Sequence, residues 1–178
     1  FAALDRKLRI EMQEEIRRIR EKIGVTIIFV THDQEEALRI SDRVAILDDG
    51  ILQQVGFARD IYDLPDNEFV AGFIGNTNLL DARIEGQQDD TVDLRLNDGG
   101  VLAVSKTSWR ANGIETGKPV RVAIRPEMLK VETDPARSPA LHGTVSSTTF
   151  LGEDSSFRMS TDAGEIQVSV PFGGVVPK

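Results

Sequence analysis

The sequence predicts an α/β part over residues 1–75, followed by an all-β small barrel over residues 76–178. Up to about residue 75, helical and strand patterns alternate, which is typical of α/β domains. From about residue 79 onward, short alternating strands are separated by turns, which is typical of a small barrel or sandwich. We therefore place a domain boundary at residues 75–78, a run of Gly, Asn, Thr and Asn.

A helix is predicted over residues 6–23, because Asp5 can cap its start and Gly24 can end it. The other positions carry charges of alternating sign, so we expect them to form a solvated face with ion pairs. Apolar side chains recur at spacings of four and three and share one face of this helix: Leu8, Met12, Ile16, Ile19 and Ile23.

Residues 25–30 are almost continuously apolar and β-branched, which predicts a strand buried on both faces of a parallel sheet. His32 follows at the carboxyl end of this strand, the edge where ligands bind in open α/β sheets. Asp33 and Glu36 have the spacing of a capping box that begins the next helix. We interpret Asp33 as that cap rather than as a catalytic acid, and His32 as a candidate functional residue.

The rest of the first part predicts a hairpin and two short helices. Residues 44–47 and 51–55 flank an Asp-Gly turn, which favours a hairpin. Helical stretches follow at about residues 58–63 and 67–74. Four apolar side chains of the second stretch form a patch that we expect to be covered: Phe69, Val70, Phe73 and Ile74.

The second part contains a loose internal repeat. Residues 80–104 form a unit of strand, strand, turn and strand, and residues 141–170 repeat it. The first copy is closed by a strand at residues 120–125, but no counterpart follows the second copy. We therefore expect the chain to lack the last strand of the barrel, which would leave an open edge.

Composition excludes several classes of function. The formal net charge of -8 argues against a nucleic-acid surface, and the absence of cysteine excludes disulfide and thiol chemistry. No apolar run approaches the roughly 18 residues of a membrane span. Because the first residue is Phe1 and not Met, we expect the natural amino terminus to be missing.

Other polar residues give no catalytic or metal-binding pattern. Lys118 follows a glycine, but the second glycine and the hydroxyl residue of a Walker A phosphate loop are missing, so a turn is predicted. His142 has no partner pattern, and Trp109 fits packing in the barrel. Acidic pairs at residues 89–90 and 153–154 fall in turns, so we expect no metal-ligating set.

Several motifs together resemble the nucleotide-binding domain of ABC transporters. Residues 3–5, Ala-Leu-Asp, are similar to its D-loop, and residues 31–33, Thr-His-Asp, are similar to its switch loop, or H-loop. Residues 41–50 match the strand and hairpin that follow in that family. Residues 56–76 and the Arg-Pro-Glu run at 125–127 resemble importer subunits with an extra TOBE domain. Within that group, residues 69–76 resemble the polyamine branch most, with iron and sugar importers nearby.

The resemblance implies a C-terminal fragment of the ATP-binding subunit of a bacterial ABC importer. It implies an α/β remnant of a P-loop NTPase domain over residues 1–75 and an OB-like TOBE barrel over residues 76–178. Walker A, signature and Walker B motifs are absent, and the family's catalytic acidic pair would precede Phe1. His32 is the implied contact of the terminal phosphate, which helps position the attacking water. Asp5 is implied to contact ATP and the second subunit across the ATP-sandwich dimer.

The same resemblance implies cofactors, partners and a location. ATP and Mg²⁺ are implied for the complete protein, whereas this fragment is expected to bind neither and to be inactive alone. A homodimer, a membrane permease and a solute-binding protein are the implied partners, with no nucleic acid. The implied place is the cytoplasmic face of the inner membrane, where the subunit would energise solute uptake, polyamine uptake being favoured.

A second hypothesis comes from a different class of function. The β part could be a regulatory barrel that senses a small ligand or an oxyanion, with the α/β part retained as a leftover. Saturable ligand binding by residues 76–178, surviving removal of residues 1–75, would favour this alternative.

Overall fold

The computed structural model describes residues 6–97, 99–132, 141–152, 154–171 and 173–174. The chain divides into two compact units, Phe1–Gly75 and Asn76–Lys178, and this division falls at the change of sequence pattern. The described part is mostly β-sheet with few helices, as predicted at this coarse level. Of the helices described, none is long and apolar enough to cross a membrane. The predicted D-loop, including Asp5, lies outside the described residues.

The first unit packs a hairpin and short helices around a small core. Its elements are α1 (Arg6–Ile23), α2 (Gln34–Ile40), β1 (Arg43–Asp48), β2 (Ile51–Phe57), α3 (Ala58–Asp63) and α4 (Glu68–Phe73). The β1–β2 turn has φ of 47° at Asp49 and 79° at Gly50, as a type I′ hairpin requires. The buried side chains of the core are Val44, Ile46, Ile61, Val70 and Ile74.

Only half of the predicted apolar patch on α4 is covered. Val70 and Ile74 are buried, whereas Phe69 and Phe73 stay exposed and stack on each other with ring centroids 5.6 Å apart. The reason is geometric, because one face of this single short helix meets the core and the opposite face does not.

The predicted buried strand at residues 25–30 is wrong for this structure. No strand forms there, and Ile28 and Val30 are each 89% exposed. A strand needs a neighbour to complete its backbone hydrogen bonds. Among the described residues of the first unit, the one sheet is the β1–β2 hairpin, and residues 25–30 are not one of its strands.

Helix α1 has the predicted bounds but buries a different face. Gln13 is only 2% exposed, whereas Met12, on the predicted apolar face, is 42% exposed. Helix α2 packs against the polar side of α1, where Arg9 pairs with Asp33 and Arg20 pairs with Asp42. Of the predicted apolar stripe, Ile16 is half-buried and the other four side chains are exposed: Leu8, Met12, Ile19 and Ile23. The predicted ion pairs on the solvated side do form, for example between Arg17 and Glu21.

The second unit contains two antiparallel sheets. The four-stranded sheet has the order β5-β4-β3-β6, and the three-stranded sheet has the order β7-β8-β9. Side chains of both sheets share one hydrophobic core. The strands are β3 (Asn78–Gln87), β4 (Thr91–Leu96), β5 (Val101–Ser105), β6 (Pro119–Ile124), β7 (Gly143–Phe150), β8 (Asp154–Thr161) and β9 (Gly164–Pro171).

The two sheets share the same strand pattern, and each contains a register shift in its first strand pair. The β3–β4 register shifts between Ile84 and Gly86, and the β7–β8 register shifts between Val145 and Ser147. Each shifted pair is followed by a turn and a third antiparallel strand, β5 or β9. Strand β6 pairs with the other edge of β3, and among the described residues no strand takes that place beside β7.

Asn78 joins the two sheets through its side-chain amide. Its Nδ2 donates to the carbonyl oxygen of Gln167, and its Oδ1 accepts from the Gln167 backbone N–H, both at 2.7 Å. Asn78 is 6% exposed, so these bonds are shielded from water. An amide side chain therefore takes the place of a peptide group between β3 and β9.

Candidate functional site around His32

The loop that carries His32 is fixed by the start of α2. Asp33 has extended backbone angles, and its Oδ1 accepts the N–H of Glu36 at 3.1 Å, as an N-cap residue should. The capping role predicted for Asp33 is therefore confirmed. His32 directly precedes this cap, so its backbone position follows from the helix start.

Thr31 completes the loop in a way that differs from the predicted capping box. In a capping box, the Glu36 side chain would accept the N–H of Asp33. Instead, the Asp33 N–H donates to Oγ1 of Thr31, and this hydroxyl donates to Oε2 of Glu36, each at 2.9 Å. Glu36 is buried, so the hydroxyl bridges the cap to a carboxylate that water scarcely reaches.

His32 is exposed at the mouth of a cleft between α1 and α2. The cleft has a volume of about 670 Å³ and carries charges of both signs. The Nη1 of Arg9 lies 3.4 Å from Oδ2 of Asp33, so one wall is an ion pair that is about one-third exposed. The lining residues are Arg9, Ile10, Gln13, residues 32–36 and Arg39.

The exposed imidazole of His32 is able to donate a hydrogen bond to an oxygen atom near the loop. An imidazole can donate from one nitrogen while its other nitrogen contacts a second partner. Two arginines of the cleft add positive charge, and the carboxylates of residues 33, 35 and 36 limit it. Among the described residues, no group of three or more His, Asp or Glu side chains could hold a metal ion.

The sequence did not reveal the α1 side of this cleft. Arg9 and Gln13 are spaced i, i+4 on a helix whose apolar stripe lies elsewhere, so they look like solvated residues. Gln13 is in fact almost wholly buried against the cleft. The one signal was that a polar stripe continues from Arg9 through Gln13 to Arg20.

The remaining candidates lie elsewhere in the fold or outside the described part. Asp5 belongs to the second group, so its predicted D-loop role is untested. His142 is exposed. Trp109 packs against the core of the second unit and donates its indole N–H to the carbonyl of Gly113 at 3.2 Å. Gly117, with φ of 84°, and Lys118 form the predicted turn before β6.

Comparison with known protein families finds a match in the β-rich second unit. Residues 122–174 match the family described as TOBE domain, from within β6 to just past β9. The match includes the Arg-Pro-Glu run at residues 125–127, on which the resemblance in this part partly rests.

Curated proteins that are similar over nearly the whole chain test the resemblance to importer ATP-binding subunits. A spermidine/putrescine import ATP-binding protein, PotA, of Ruegeria pomeroyi is 43% identical over 164 residues, which is 92% of this chain and 43% of that protein. The predicted resemblance is confirmed. This chain is similar to importer ATP-binding subunits over most of its length.

Two further relatives bear the same name. PotA of Mesorhizobium japonicum is 42% identical over 93% of this chain and 43% of its own length. PotA 1 of Pseudomonas aeruginosa is 42% identical over 97% of this chain and 46% of its own length. The chain therefore spans less than half the length of these curated relatives.

Proposed function

We propose that this chain is part of the ATP-hydrolysing subunit of an ABC importer that takes up polyamines. The observation that carries the proposal is the 42% identity to a spermidine/putrescine import ATP-binding protein over 97% of the chain. That similarity extends across both units, so it does not rest on the TOBE match alone. The composition, without basic excess, agrees with a protein that does not bind nucleic acid.

In this proposal, His32 contacts the terminal phosphate of ATP and helps to position the attacking water. Its place just before the N-cap of α2 supports this role, because the cap and the Thr31 bridge hold the loop in one shape. Such fixed donors stabilise charge that develops in phosphoryl transfer. Asp5 would complete the site at the dimer interface.

The exposed apolar side chains of the first unit support the assignment to a P-loop NTPase fold. Residues 25–30 have the composition of a central strand of a parallel sheet, yet Ile28 and Val30 are each 89% exposed. In a complete nucleotide-binding domain, neighbouring strands and helices would cover these side chains. The second unit, with two antiparallel sheets around one core, would be the OB-like TOBE barrel.

Cofactor and partners follow from the same proposal. Among the described residues, no group of three or more His, Asp or Glu side chains could hold a metal ion, and the proposal assigns Mg²⁺ to the complete subunit. When bound, Mg²⁺ would neutralise phosphate charge. The subunit would dimerise, bind a membrane permease at the cytoplasmic face and act with a solute-binding protein. Alone, this chain would neither bind ATP tightly nor hydrolyse it.

ATP turnover by the complete subunit that contains this chain tests the proposal. Replacing His32 by Ala should lower turnover at least about 100-fold, as loss of a stabilising donor in an active site does. His142→Ala is the matched control and should leave turnover unchanged. Equal turnover in both variants would refute the role of His32. Turnover by the 178-residue chain itself, abolished by His32→Ala, would refute the claim that it is inactive alone.

Stimulation of ATP hydrolysis by candidate solutes tests which solute is transported. In proteoliposomes that contain the complete importer, putrescine or spermidine should accelerate ATP hydrolysis, whereas ferric iron and maltose should not. Acceleration by iron or maltose instead would reassign the transported solute without changing the assignment of the ATPase.

A further inference from the structure

The side chain of Gln34 holds the residue at which the chain leaves the first unit. Gln34 is the first residue of α2 and lies two positions after His32. Its Oε1 accepts a hydrogen bond from the backbone N–H of Gly75 at 2.8 Å. Gly75 is the last residue of the first unit, and Asn76 is the first of the second. The bond therefore connects the loop of His32 to the junction.

The acceptor is unusual for the end of a helix. Gly75 follows Ile74, the C-cap of α4, and has φ of 69°. At this position the N–H ordinarily donates to one of the last carbonyls of its own helix. Here it donates to a side chain that is 41 residues away in sequence. The end of α4 is thus completed by the helix that follows the switch loop.

Both partners of this bond are held firmly within the first unit. On one side, Val70 and Ile74 of α4 are buried in the core, and Asn67 caps the helix by accepting the Val70 N–H at 2.9 Å. On the other side, the hydrogen bonds of Thr31 and Asp33 fix the start of α2. A shift of the loop must therefore either move Gly75 or break its bond to Gln34.

The first two residues after the junction are hydrogen-bonded to Arg125. The carbonyl oxygen of Asn76 accepts from Nη1 of Arg125 at 3.2 Å, and the same nitrogen contacts Oγ1 of Thr77. Arg125 is itself buried in the second unit. Gly75 bonds to Gln34, and the next residue, Asn76, bonds to Arg125. The two hydrogen-bonded residues are therefore consecutive in the chain.

We infer that Gln34 is a positioning residue that couples the loop of His32 to the junction at residues 75–76. The inference rests on the function proposed for His32. A loop shift on phosphate binding would be passed to Gly75, and a displacement at Gly75 would change the position of His32. Such linkage acts equally in both directions.

Thr31→Val provides a perturbation of the His32 loop in the 178-residue chain, because it removes the hydroxyl that accepts the Asp33 N–H and donates to Glu36. NMR spectra would follow the Gly75 amide before and after this change. The Gly75 signal should shift on Thr31→Val, whereas His142→Gln, which lies in the second unit, should leave it in place.

Two substitutions at position 34 separate coupling from simple packing. Gln34→Met keeps the length of the side chain but removes the acceptor, so the Gly75 response should disappear and its amide should exchange roughly tenfold faster. Gln34→Glu keeps an acceptor and should restore the response. Gln53→Met is the control, because Gln53 bonds to Asn67 elsewhere in the same unit.

Two results would overturn the inference. One is a Gly75 amide whose NMR signal does not shift on Thr31→Val in the otherwise unchanged chain. The other is a response of equal size in Gln34→Met. Neither depends on ATP hydrolysis, so failure of the proposed function would appear separately, as unchanged turnover in His32→Ala of the complete subunit.

Discussion

Replacing Asn78 by Ala should strongly destabilise the second unit. The change removes two hydrogen bonds of 2.7 Å that the buried Asn78 makes, and leaves the N–H and the carbonyl of the half-buried Gln167 without these partners. Each shielded group left unpaired costs about 1–3 kcal/mol, so two such groups predict a loss of roughly 2–6 kcal/mol. For a unit of this size, about 4–8 °C per kcal/mol predicts a fall in Tm of roughly 10 °C or more.

Trp109 makes the measurement specific to this unit. It is the one tryptophan of the sequence and packs against the core that both sheets share. Thermal unfolding followed by its fluorescence should show the shift for Asn78→Ala, while Asn112→Ala, at an exposed turn, should change Tm little. If both variants unfold at the same temperature, the amide of Asn78 does not hold the sheets together in the way proposed.

Three further predictions concern the first unit, and hydrogen exchange of its amides measures all of them. Asp33→Ala removes the N-cap bond to Glu36 and should cost α2 about 1 kcal/mol, whereas Asp48→Ala, at an exposed strand end, should not. Gly50→Ala should destabilise the hairpin by about 1–2 kcal/mol, because φ there is 79°. Gly72→Ala, in a helix with open space around it, should instead stabilise by about 0.5–1 kcal/mol. Equal effects at positions 50 and 72 would contradict the argument from φ.

Local patterns in the sequence predicted the elements that need only local information. The alternation of apolar and polar residues located the strands of the second unit, and the Asp49–Gly50 pair located the hairpin turn. The cap at Asp33 followed from its spacing to Glu36. Each of these features depends on residues within a few positions of one another, so one sequence contains the necessary signal.

The failures concern features that depend on a distant partner. Residues 25–30 have strand composition, but a strand forms only where another backbone lies beside it. The face of α1 that is buried was likewise decided by the contact with α2, not by the apolar period. The bonds of Gln34 to Gly75 and of Asn78 to Gln167 join residues 41 and 89 positions apart. No spacing rule in a single sequence indicates such pairs.

The two units differ in how they treat their apolar residues, and this difference bears on function. The second unit buries many of its large apolar side chains in a core shared by two sheets, and among its described residues four are exposed: Val101, Met128, Phe150 and Leu151. In the first unit, Ile28, Val30 and Phe57 are exposed, together with the apolar stripe of α1. Adjacent exposed apolar side chains mark surfaces that pack against other protein. Most of the exposed large apolar side chains of the described residues thus lie in the unit that carries His32, as the proposed assignment of this unit to an ATPase domain leads us to expect.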